Sequence, residues 1–256
     1  MNRVKKLFVF DFDGVVCDST DECMVTSWNA WQRWNCKNNF RKTLEEFTDR
    51  EQQEFRPLRY YVRGAGEYYV LRRLLSEMKI QHIKSYQDFE VFQKKWIKEV
   101  NQFKEYIFTE RSRLIAQSLD NWINLHQVYP EIINLMHKIS HLDSIYIATL
   151  KDLESVRLIL DRHEVFIPER NILHQAIISS KLQALDMIKD NEKQDKSDIY
   201  LFDDNISHLI EPLEEGYQVH QTTWGNVPAD YIIEATEKNV PLIDFEGLRK
   251  LTTSIN

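Results

Sequence analysis

The chain has 256 residues, 33 of them Lys or Arg and 40 Asp or Glu, for a formal net charge of −7. That length fits one large domain or two of ordinary size, and a 43% hydrophobic content with only six Gly and six Pro excludes collagen-like, low-complexity and disordered chains. The acidic surplus argues against nucleic acid as a partner, so any anion the protein handles has to be met by local groups.

In chain order, Leu7-Phe8-Val9-Phe10 is a short continuous apolar run that stops at Asp11-Phe12-Asp13-Gly14, the pattern of a buried strand entering a loop. The break at Asp11 comes too early for a signal-peptide core, and no window is long and apolar enough to span a membrane. Cys17, Cys23 and Cys36 are odd in number and lack CxxC spacing, which suggests neither a disulfide framework nor a zinc cluster. A reducing, cytoplasmic setting is the expectation.

Residues 19–126 read as helical in composition and contain Trp28, Trp31, Trp34, Trp96 and Trp122, five of the six tryptophans. They hold 18 basic against 15 acidic side chains, opposite in sign to the rest of the chain. Alternation then begins: a helix over 130–139, a strand over 144–148 ending at Thr149, a helix over 152–163 with Asp152 as its cap, a helix over 181–189, and a strand over 198–202 ending at Asp203-Asp204. Residues 216–223 and 229–233 read as two closing strands. Alternating strands and helices predict a Rossmann-like parallel sheet flanked by helices, with ligands at the carboxyl ends of the strands. The expected division is a core of 1–18 and 127–256, interrupted by an all-helical domain of 19–126.

Asp11 and Asp13 lie two apart at a strand end, and Asp203 and Asp204 close another strand of the same sheet. Carboxylates gathered this way repel unless a cation neutralises them or one keeps its proton. Oxygen ligands without a neighbouring His or Cys select Mg2+ over zinc.

The segment VFDFDGVVCDS resembles the first motif of the haloacid dehalogenase superfamily, and the other motifs follow in order: IYIATL with Thr149, SSKLQAL with Lys181, and IYLFDDN with Asp203 and Asp204. GYQVHQTTWG followed by ADYII is similar to the closing strands of the phosphoglycolate-phosphatase-like branch. The resemblance implies a Mg2+-dependent hydrolase acting on a small phosphorylated metabolite, with Asp11 as nucleophile forming an aspartyl-phosphate and Asp13 as general acid and base. It further implies that Thr149 and Lys181 stabilise the phosphoryl group. The metal would be held by Asp11, by Asp13 through its main-chain carbonyl, and by Asp204, with Asp203 joining directly or through water. Residues 19–126 would then be a cap inserted after the first motif. A sugar phosphomutase using the same residues, or a regulatory binding module of the same fold with weak activity, stays open.

Gly14, Asn205 and His208 stand close enough in the sequence to these motifs to touch substrate or support the metal ligands. In the insertion, Arg56, Arg59 and Arg63 recur at helical spacing and would share one face able to clamp a second phosphate or a carboxylate. An exposed stripe paired with Glu51, Glu54 or Glu67 is the alternative. Trp28, Trp31, Trp34 and Phe40 are spaced like a helix's core face rather than a base-stacking platform. The expected partner is a small phosphorylated substrate, with no nucleic acid and no membrane, and the oligomeric state is not legible.

Overall fold

A computed structural model describes residues 5–139, 144–225 and 227–253. The basic start of the chain, residues 1–4, lies outside the described residues. The chain divides into two compact units, residues 1–18 with 128–256, and residues 19–127.

Strand β1 (Leu7–Phe10) and the two-residue β2 (Cys17–Asp18) lead into α1 (Thr20–Trp34), α2 (Asp49–Arg59), α3 (Tyr68–Ser76), α4 (Tyr86–Lys95), α5 (Ile97–Gln117) and α6 (Leu119–Ile123). The two-residue β3 (Gln127–Val128) precedes α7 (Pro130–Ile139), β4 (Ile145–Ala148), α8 (Leu153–Arg162), β5 (Ile172–Leu173) and α9 (Lys181–Glu192). The chain closes with β6 (Ile199–Asp203), α10 (Ile210–Glu214), β7 (Gln218–Thr222), α11 (Ala229–Glu237), β8 (Leu242–Ile243) and α12 (Phe245–Thr253).

In the first unit six strands form one parallel sheet in the order β5-β4-β1-β6-β7-β8. Strand β1 is central, with Phe10 opposite Ile147 on one side and Phe202 on the other. All four residues of β1 are buried, as a parallel strand covered on both faces must be. Phe10 and Phe202 stack at 5.0 Å between ring centroids, so the centre of the core lies directly under the strand ends that carry Asp11 and Asp203. The sheet grows away from β1 in both directions, and the switch in direction leaves a crevice at the carboxyl ends of β4, β1 and β6.

One expected strand is a helix. Ala229–Ile233 forms the start of α11, entered directly after Pro228. Its buried positions, Tyr231 and Ala235, are four apart, and Ile233 is exposed, so the apolar run follows a helical rather than a strand period. The last strand is instead Leu242–Ile243.

The second unit is all helical. Trp31 and Trp34 of α1 pack against Tyr69 of α3 and Phe103 of α5. Phe40 does not share that face: α1 stops at Trp34, and Phe40 lies partly exposed beneath Arg33. Glu22 on α1 is fully buried and receives Arg111 of α5 through two hydrogen bonds, Nε at 2.8 Å and Nη2 at 3.1 Å, with the Thr26 hydroxyl adding a third at 2.7 Å. Removing one partner strands the other charge in the core. Glu22→Ala is expected to cost about 3–5 kcal/mol in urea denaturation. Replacing Glu22 and Arg111 together by Leu and Met should recover most of that loss.

In the sheet, His220 of β7 stacks on Phe202 and Tyr200, and its Nδ1 has no hydrogen-bond partner among the described residues. Burial pushes its pKa down to about 4. The unfolded chain therefore takes up this proton first as pH falls, near the ordinary histidine value of about 6.5. Between about pH 6.5 and pH 4 the fold should lose up to about 1.4 kcal/mol per pH unit from this residue, and His220→Phe should flatten that part of the stability curve.

Candidate active site

Asp11 follows β1 directly, and its backbone N–H donates to Phe202 O at 2.9 Å, which ties it to the neighbouring strand. Its carboxylate turns inward, accepting the N–H of Phe12 at 2.7 Å and the Lys181 ammonium at 2.8 Å. Lys181 is the first residue of α9, whose cap Ser180 accepts the N–H of Gln183. A lysine at a helix start is usually solvated. Here it is buried, and its ammonium reaches Asp11, Asp203 at 3.1 Å and the Ala148 carbonyl.

Asp203 is completely buried at the end of β6. Besides Lys181, it accepts the N–H of Asn205 at 2.8 Å and meets His208 Nδ1 at 3.1 Å. The two aspartates respond differently. Burial pushes the Asp11 carboxyl up; Lys181 pulls it back only in part, and the Asp203 charge adds to the rise. Burial acts on Asp203 in the same direction, but Lys181, His208 and the Asn205 N–H outweigh it and hold that carboxyl below the usual range. The ammonium pays a desolvation cost too, yet its two carboxylates leave its pKa raised.

Asp13 faces a second cation. Lys151, two residues after Thr149 in the loop that follows β4, has no side-chain exposure and places Nζ 3.1 Å from Asp13 Oδ1. Its main-chain N–H donates to Thr149 Oγ1 at 3.1 Å. Sequence reasoning missed Lys151, because a lysine just past a strand reads as a solvated loop residue. The only usable signal was its position two residues after a motif threonine.

Gly14 has φ +92°, and a Cβ there would lie 2.2 Å from Asp204 Oδ2. The loop thus brings the Asp204 carboxylate against the turn that follows Asp13. Gln221, fully buried on β7, donates its side-chain N–H to the Asp204 carbonyl and fixes that residue's backbone. Asn205 accepts the Ser207 N–H at 3.1 Å and hydroxyl at 2.8 Å, closing the turn after Asp204.

The arginines of the helical unit do not form one stripe. Arg56 pairs with Asp21 at 2.6 Å, Arg59 of the same helix lies over the Tyr68 ring, and Arg63, beyond the end of α2, stacks on Tyr86 at 3.2 Å. Of the carboxylates expected beside this stripe, Glu51 binds Arg41 and Glu54 binds Arg50, while Glu67 accepts the Arg63 main-chain N–H and the Gln93 amide.

Two buried lysines thus stand among four aspartates at one end of the sheet, a surplus of negative charge that suits a divalent cation. Ligand atoms of Asp11, Asp203 and His208 come within 4.8 Å of one another, but the Lys181 ammonium already serves both aspartates there. Asp203 already meets Lys181, His208 and the Asn205 N–H, so a cation there would share its oxygens with three donors.

No protein-family model matches this sequence, and no curated protein does. Solved structures match along nearly the whole chain. A predicted phosphoglycolate phosphatase from Haemophilus somnus aligns at 15% identity over 97% of this chain and 98% of its own, with a TM-score of 0.59. The fold is that of the haloacid dehalogenase-like hydrolases. A haloacid dehalogenase-like family hydrolase from Streptococcus pneumoniae aligns at 16% identity, covers 99% of each chain and has a TM-score of 0.57. A subfamily IA hydrolase from Geobacter sulfurreducens shares this HAD-like fold at 10% identity, covering 100% of this chain and 98% of its own, with a TM-score of 0.56.

The Gly14 contact is open to test. Gly14 and Gly216 both have φ +92°, but a Cβ on Gly216 would meet nothing within 4 Å. Gly216→Ala should cost about 1–2 kcal/mol from backbone conformation alone, and Gly14→Ala should cost clearly more in the same chemical denaturation series, the excess reporting the clash with Asp204.

Proposed function

We propose that this protein is a Mg2+-dependent phosphatase of small phosphorylated metabolites, working through a phosphorylated Asp11. The observation that carries this reading is the buried Lys181 ammonium shared between Asp11 and Asp203. It holds Asp11 at the mouth of the sheet and restrains the repulsion between carboxylates. The HAD-like fold, and the description of the Haemophilus somnus neighbour as a predicted phosphoglycolate phosphatase, support the same reading. Asp11, Asp204 and the main-chain carbonyl of Asp13 would hold the metal, all oxygen donors suited to Mg2+. When bound, Mg2+ supplies charge neutralisation for the phosphoryl oxygens.

The residues then divide the work. An Asp11 oxygen attacks phosphorus, the bond to the ester oxygen breaks, and Asp13 delivers a proton to that leaving oxygen. Water attacks the phosphorylated Asp11 in the second step while Asp13 takes its proton, releasing inorganic phosphate and restoring Asp11. Thr149 and Lys181 offer donors to the phosphoryl oxygens, where charge develops. Gly14 and Asn205 shape the turns around Asp13 and Asp204. Residues 19–127, in this reading, serve as the cap that selects the substrate.

Wild-type protein should release phosphate from p-nitrophenyl phosphate with Mg2+ and stop when the metal is chelated. Asp11→Asn should reduce turnover by at least about 10³-fold in protein that circular dichroism shows to be folded. Release that is indifferent to metal, or an Asp11→Asn variant as active as the wild type, would refute the proposal.

A further inference from the structure

We infer that Lys151 is a positioning residue for Asp13: it dictates which carboxyl oxygen of Asp13 carries the proton exchanged with the leaving group and with water. This rests on the phosphatase reading above and adds a residue to it.

A lysine with no side-chain exposure needs compensation for the loss of water. Lys151 has it from Asp13, Oδ1 lying 3.1 Å from Nζ. The lysine is itself fixed at the end of β4, its N–H bonded to Thr149 Oγ1. Asp13 is less constrained by packing, its side chain keeping 24% of its exposure. An ammonium has donors only, and the carbonyl-type oxygen of a protonated carboxyl is the better acceptor, so the contact with Lys151 favours a proton of Asp13 on Oδ2.

That choice has a catalytic consequence. Proton transfer is efficient only when donor, proton and acceptor are held in line. With Oδ1 fastened to Lys151, Oδ2 gives its proton to the ester oxygen as the bond to phosphorus breaks, and takes one back from the attacking water in the second step. Without Lys151 the donor that marks Oδ1 as the acceptor is gone, and the preference for a proton on Oδ2 is lost with it. Lys181 cannot substitute, because its ammonium is committed to Asp11, Asp203 and the Ala148 carbonyl.

The loss should grow as the leaving group becomes poorer, since only poor leaving groups need the proton. The test measures kcat/KM for wild type, Lys151→Met, Lys151→Arg and Asp13→Asn on a series of substituted phenyl phosphates, from p-nitrophenyl to p-methoxyphenyl. Lys151→Met is expected to stay within about threefold of wild type on the nitrophenyl ester and to fall about tenfold or more on the methoxyphenyl ester, a fraction of the full effect of general acid catalysis. Asp13→Asn should steepen the same dependence further, and Lys151→Arg, still a donor-only cation, should restore much of the wild-type slope. If Lys151→Met does not yield folded protein, Lys151→Gln is read in the same way. A drop by one common factor across the series, or no change in slope, overturns the inference and assigns Lys151 a purely structural role. If wild type hydrolyses none of the esters, or Asp11→Asn is as active as wild type, the phosphatase reading itself falls and the inference falls with it.

Discussion

The architecture of the site follows from one electrostatic problem: several carboxylates are concentrated at the ends of adjacent strands, where the sheet shields them from water. Asp11 and Asp203 sit on neighbouring strands whose register is fixed by the Phe10 and Phe202 pairing beneath them. They cannot separate without breaking the sheet. Lys181 is the resident answer, a cation delivered by the first turn of α9 into the gap between them. Because the three groups are buried together, no member can be removed without leaving the others uncompensated.

The remaining parts are arranged around that pair. Asp203 offers its oxygens to Lys181, His208 and the Asn205 N–H. Asp11 is left with its carboxyl raised, because burial and the Asp203 charge outweigh the pull of Lys181. Asp13 and Asp204 occupy the two loops that meet at Gly14, where only a residue without Cβ fits.

Much of this was readable in the sequence. Leu7–Phe10 announced a buried strand because parallel strands show continuous apolar runs, and the abrupt change to Asp11 marked its end. Asp152 capped the helix expected after Thr149, and Lys181 opened the helix assigned to it. Short apolar runs were less decisive: Ala229–Ile233 has a composition that suits either period, and only the packing of Tyr231 and Ala235 settles it as helical. Lys151 was illegible because its burial is created by strands far away in sequence. The partners of the arginines were hidden for the same reason, Arg56 finding Asp21 rather than a carboxylate on its own helix.

The central position of β1 has a consequence for how the chain reaches its fold. Strand β1 precedes all its partners in the sheet: Phe8 pairs with Ile145 and Tyr200, so it has no hydrogen-bonding neighbour there until residues far along the chain exist. Its four apolar residues stay unsatisfied through the synthesis of the entire helical insertion, during which an unpaired strand is vulnerable to association with other chains. Helices α1–α6, by contrast, are contiguous in sequence and can acquire their contacts as they emerge. Nascent-chain biology would therefore meet a finished helical unit tethered to a sheet still waiting for its outer members.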